Sequence, residues 1–227
     1  MAVTLDANSS AATASGVVTT VDHTNLTIGS GDALIVKLAF QGQVTGVSVV
    51  WDQGGANQAC SLIVSQNDPS TVQMTQLWGL VAPVSGNKTL RVSWTTATRV
   101  GINALSFSGV DQTGGATSFP NSTGANGTST APSVTITSAT GNMTVDCLSS
   151  SGTIKSAPSQ TQDFNNLRGA GSYANGAASN VHSWTLDFSS DWASAGCDIL
   201  AFAPVPFVAQ LAGLVNTGIV GLNHWRT

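Results

Sequence analysis

The sequence predicts an all-β fold, an antiparallel β-sandwich of jelly-roll type, and three observations carry that expectation. The first is composition. Only 8% of the 227 residues are charged, and all eleven acids are aspartate, against roughly 25% charged residues in an ordinary soluble domain. Glutamate, lysine and arginine are the usual surface helix formers. Serine and threonine, about a quarter of this chain, compete with helical hydrogen bonding instead. The second is alternation: in 182–188 (HSWTLDF) Trp184, Leu186 and Phe188 point one way, and Ser183, Thr185 and Asp187 the other. In 143–148 (MTVDCL), Met143, Val145 and Cys147 alternate with Thr144, Asp146 and Leu148. One packed and one wet face is the mark of an antiparallel sheet. The third is punctuation, since Gly, Pro, Asn and Asp separate the runs and supply turn conformations.

Taken in order, residues 1–20 are small and polar and read as an arm. Strand-like runs follow at 34–40 (LIVKLAF), 44–51 (VTGVSVVW), 60–65 (CSLIVS), 72–80 (VQMTQLWGL), 89–94 (TLRVSW) and 102–107 (INALSF). The later ones are 134–137 (VTIT), 143–148, 181–188 (VHSWTLDF) and 197–202 (CDILAF). Ten short strands suggest a sandwich over 21–205. A faint internal repeat, 101–110 (GINALSFSGV) against 196–205 (GCDILAFAPV), divides it into two related halves, with 112–131 as the crossing. Two separate small domains are the other reading. Pro204 and Pro206 end the last strand, because proline donates nothing to a ladder. Phe207, Leu211, Leu214 and Val215 then fall at helical spacing, so 206–227 reads as a short helical or extended apolar arm. It folds back on the sandwich or is buried against a neighbouring subunit.

A formal charge of −4 with scattered basic residues argues against nucleic-acid binding, which needs a basic footprint. A transmembrane helix needs ~20 continuous apolar residues, and Pro204, Pro206, Gln210 and Asn216 interrupt the only apolar stretch. Cys60, Cys147 and Cys197 lack metal-ligand spacing and read as small buried hydrophobes; a disulfide pair among them is the alternative. The N-terminus has no basic region and no long apolar run, so no signal peptide is expected.

Enzymatic motifs are missing: there is no GxSxG, HExxH, Walker loop or GxGxxG. His23, His182 and His224 lie in unrelated contexts. No catalytic, cofactor or metal residue is assigned, and Asp187, Asp191 and Asp198, close in sequence as calcium ligands would be, are adequately explained as turn residues. Trp51, Tyr173 and Trp192 fall at strand ends or in loops, where aromatic faces stack on sugar rings. They are the candidates for a carbohydrate-binding module recognising host surface polysaccharide.

Several stretches resemble one family: 32–40 (DALIVKLAF), 76–86 (QLWGLVAPVSG), 89–94 (TLRVSW), 105–113 (LSFSGVDQT), 183–188 (SWTLDF) and 199–204 (ILAFAP). They are similar to a β-sandwich module of bacteriophage virion proteins, found in head or tail decorations and fibres and in some large bacterial surface proteins. The resemblance spans about residues 24–205, with SFSGVDQT and LVAP its most distinctive parts. It implies a non-enzymatic virion subunit, made in host cytoplasm, that decorates the capsid or forms a head or tail appendage. Its partners would be phage capsid or tail proteins and further copies of itself, with no cofactor. Phe207, Leu211, Leu214, Val215, Ile219, Leu222 and Trp225 are then the expected assembly contacts.

Overall fold

A computed structural model describes residues 1–29, 32–156, 159–166 and 168–203. Among the described residues the fold has sixteen strands and one 3-10 turn (Gly115–Ser118). The first sheet contains β1 (Thr4–Ile28), β2 (Ala33–Phe40), β3 (Ser48–Trp51), β4 (Gln58–Ala59), β5 (Ser61–Asn67), β6 (Met74–Val81) and β7 (Gly86–Ser108), in the order β4-β3-β7-β2-β6-β5, with β1 along the other edge of β7. The second contains β8 (Thr123–Ser129), β10 (Met143–Ser150), β12 (Thr161–Asn166), β13 (Gly169–Asn175) and β16 (Ser190–Ile199), in the order β12-β13-β10-β16-β8. Two ribbons complete the fold: β9 (Ser133–Ile136) with β14 (Asn180–Ser183), and β11 (Ile154–Ser156) with β15 (Thr185–Leu186). All pairings are antiparallel. The expected all-β sandwich is what forms.

Residues 4–20 are not an arm. They are the first part of β1, laddered to β7 from Thr4↔Ser108 to Ile28↔Gly86. An edge strand is held by its backbone ladder and needs no apolar alternation, so its small polar residues carry no strand signal. The two runs 89–94 and 102–107 likewise belong to the single strand β7, which pairs with β3 near Val92 and with β2 from Val100 to Phe107. Five register shifts along β1 bend the sheet, as bulges do, and it curls around an apolar cluster.

That cluster takes Leu34, Val36, Leu38 and Phe40 from one face of β2, with Trp51, Trp78, Trp94, Val100 and Ile102. The other face of β2 (Ala33, Ile35, Ala39) meets Leu105, Phe107, Met143, Val145, Cys147 and Cys197 between the two sheets. A third cluster, Leu148, Ile154, Ala170, Trp184, Leu186 and Trp192, lies on the outer side of the second sheet under the ribbons. The central strands β2 and β10 are therefore covered on both faces, where alternation led us to expect a wet face on β10. The run 181–188 also breaks into β14 and β15, and Phe188 ends up 55% exposed, apart from buried Trp184 and Leu186.

The sandwich is nearly closed. Asn126 Nδ2 donates to Asn67 O (2.8 Å) between the edges of β8 and β5, and β12 packs beside β1 at the opposite seam. The N-terminal amine donates to Phe202 O at 3.1 Å. Gly109 makes that junction possible: its φ is +74°, and a Cβ there would sit 2.4 Å from Ala2 O, a position that suits glycine alone. Residues 206–227, with all seven expected assembly contacts, lie outside the described residues.

Candidate functional site

The chemistry-bearing side chains converge on β10 and β13. Thr144 and Asp146 share the outer face of β10, Ser172 pairs with Asp146 across the ladder, and β14 lays His182 and Asn180 over them. The Ser172 hydroxyl donates to Asp146 Oδ1. Trp184 Nε1 donates to Asp146 Oδ2 at 2.7 Å. His182 Nδ1 lies 3.3 Å from Asp146 Oδ1 and 2.9 Å from Ser172 Oγ, and Nε2 lies 2.9 Å from Thr144 Oγ1.

Hydroxyl, imidazole and carboxylate in that order are the parts of an activated nucleophile. Two features disarm them. Thr144, Asp146, Ser172 and His182 are all fully buried. The Thr144 hydroxyl hydrogen is also directed at Ala174 O (3.2 Å), so its oxygen accepts from Asn180 Nδ2 (2.8 Å) and from the ring. By donor and acceptor capacity, Nε2 is then a donor toward Thr144 and not its base. Burial pushes the Asp146 carboxyl up, but His182, Lys37 and the Ser172 hydroxyl more than offset that and hold it below the ordinary carboxylate value.

On the opposite face of the second sheet sits Lys37, a fully buried charge in the middle of apolar β2. Its Nζ donates to Asp163 Oδ2 and, at 2.8 Å, to Ser172 O. Asp163 is the extra residue of a bulge in β12, where Gln162 opposes Ser172 and Phe164 opposes Gly171. Such bulges re-aim side chains, and here both Asp163 and Phe164 turn inward. Gly171 leaves room: a Cβ there would stand 2.8 Å from Lys37 Cδ and 2.5 Å from Phe164 Cε1. Burial pushes the Asp163 carboxyl up to about 6 despite the Lys37 charge beside it.

The sequence candidates fall elsewhere. Trp51 is interior, its Nε1 donating to Val84 O at 2.9 Å. Trp192 is buried too, donating to Ser129 Oγ at 3.0 Å. Neither presents a ring face to a sugar, because each strand end is covered by a neighbouring loop or ribbon. Tyr173 is half-buried against the inter-sheet core. Asp191 and Asp198 lie seven residues apart on extended β16, about 23 Å at strand rise. Asp187 accepts from Thr153 N, Asp191 from Ser70 and Thr128, and Asp198 from Ser138 and Asn142. No group of three metal-ligating side chains occurs among the described residues. The three cysteines are unpaired and buried. Burial pushes the Cys60 and Cys147 thiols up to about 12 and raises Cys197 as well, which keeps them unreactive.

Sequence reasoning missed Lys37, Asp146, Asp163, Ser172 and His182 as one constellation. The available signal was a lone charge inside an apolar strand, as in ALIVKLAF and MTVDCL. No family model matches the chain, and neither the curated proteins nor the solved structures contain a match to it.

Proposed function

We propose that this chain is a non-enzymatic structural subunit of a bacteriophage particle, a capsid decoration or a head or tail appendage. One observation carries the non-enzymatic reading: the groups with catalytic chemistry are bonded to one another in fully buried positions. A nucleophilic hydroxyl works only where a substrate reaches it and donors face the developing oxyanion. Here the hydroxyls, the imidazole and the carboxylates lie beneath β14 and between the sheets.

The virion reading draws on the resemblance of 76–86 and 105–113 to phage modules, and the surface supports it. The exposed positions of β8 are Gly124, Asn126 and Thr128, and short polar side chains lose little rotamer entropy when a neighbour packs on them. β1 pairs with β7 alone among the described strands. Beyond the stretch that packs beside β12, its other edge offers backbone donors and acceptors to an extended segment of an adjoining subunit.

Immunogold labelling of phage particles from the host that encodes the chain tests the reading. Regular labelling at many copies per particle is expected, and particles purified free of the chain would sink it. Deleting 206–227 is expected to leave a soluble sandwich that no longer joins particles. The carbohydrate reading has no support from Trp51 or Trp192, which are interior. The full chain is expected to be silent on a bacterial polysaccharide array.

A further inference from the structure

Lys37 and Asp163 belong to different sheets, lie 126 positions apart in the chain, and meet with both side chains fully buried. Three separate features build that meeting. Lys37 interrupts a strand whose other residues are apolar; the bulge at Asp163 turns its carboxyl inward; and Gly171 vacates the space that the lysine stem fills. An ion pair taken out of water carries a desolvation penalty on both partners. Exchanging the pair for a neutral bond removes that penalty.

We propose that Lys37 and Asp163 condense into an intramolecular amide, an isopeptide cross-link between the two sheets. The step balances without a co-reactant. One proton passes from the ammonium to Asp163 Oδ2, which leaves a neutral amine beside a neutral carboxylic acid. Nζ attacks Cγ, the second proton moves from Nζ to the same oxygen, and Oδ2 departs as water. The product keeps one N–H, which goes on donating to Ser172 O. Nothing is oxidised or reduced.

The site suits this chemistry. Contact between amine and carboxyl supplies the high effective concentration of an intramolecular reaction, and Ile35, Ala39, Phe164 and Cys147 of the inter-sheet core exclude the water that would reverse it. Asp163, held up at about 6 by burial, reaches its neutral form more readily than an exposed aspartate. The inference is independent of the virion reading, since the bond concerns only the fold.

Intact-mass spectrometry of the full chain, purified in its folded form and then denatured, is the test. The expected mass is one water below that of the sequence, and proteolysis should release a branched peptide joining the Lys37 and Asp163 segments. Lys37→Arg, which keeps the charge but forms no amide, should restore the missing water. A wild-type mass equal to the sequence mass overturns the proposal. So does a deficit that persists in Lys37→Arg.

Discussion

The curl of the first sheet and the outer face of the second are filled in opposite ways. Inside the curl, aliphatic side chains surround Trp51, Trp78 and Trp94, and Trp94 packs edge-on against Phe40 with ring centroids 5.3 Å apart. The indole N–H of Trp94 has no acceptor. Under β14, by contrast, Trp184 is equally hidden but donates to Asp146, which also serves Ser172 and faces His182. The apolar region tolerates one unsatisfied group because nothing else depends on it. In the polar region each group is the partner of another, so a single loss strands several.

The sharpest way to break this contrast is Asp146→Ala. It leaves the Trp184 N–H, the Ser172 hydroxyl and His182 without their shared acceptor in a site that water does not reach. Removing one member of a buried charged network costs about 3–5 kcal/mol. Urea unfolding of the variant should show a loss of that size. A loss below ~1 kcal/mol would mean that the network relaxes as freely as a surface one. The dependence on acidity has a definite sign as well. Because the folded state holds the Asp146 carboxyl below its ordinary value, its contribution is complete above that ordinary value and is lost as pH falls through the lower, folded one.

A second pair of variants compares the two tryptophans directly. Trp184→Phe removes a donor that Asp146 uses, whereas Trp94→Phe removes one that no acceptor uses. Both lose similar volume, so the difference isolates the hydrogen bond. Trp184→Phe is expected to cost about 1–3 kcal/mol more than Trp94→Phe in parallel urea titrations. Equal losses would show that packing, not bonding, holds the ribbon over the second sheet.

The same contrast explains what the sequence disclosed. Period-two alternation reports which face of a strand is apolar, and it assigned Met143, Val145 and Cys147 to the core correctly. It is blind to a polar face covered by a second layer, so Thr144 and Asp146 looked solvent-facing. Only tertiary pairing of β14 with β9 brings His182 over them. Edge position hid β1 for the opposite reason, because a ladder of backbone bonds leaves no hydrophobic pattern. Trp51 and Trp192 misled because a strand end is exposed only if no loop crosses it, and loops are where alternation says least. The strands that sit between two apolar layers, such as 34–40, were the easiest to find. Yet the lysine inside that run is the residue whose partner, on a bulge 126 positions away, had no local signature at all.

The smallest effect concerns the two regions' buried carboxylates. Asp32 precedes β2 at the end of the apolar curl, near Asp6, whose carboxylate accepts from Ser106 Oγ at 2.8 Å. Burial, then the Asp6 carboxylate, push Asp32 up to about 6 from 3.8. Asp146, with cationic and hydroxyl partners, moves the other way. The folded chain therefore keeps a proton on Asp32 that the unfolded chain has released, so stability declines as pH rises from about 4 to about 6 and stays lower above it. Asp32→Asn removes this dependence. Relative to wild type, it should gain melting temperature at pH 8 and almost none at pH 3.5. The gain comes from removing a charge that burial, more than the Asp6 carboxylate, disfavours. An equal shift at both pH values would mean that the introduced amide acts through packing, and that the two regions do not differ in how they treat a buried acid.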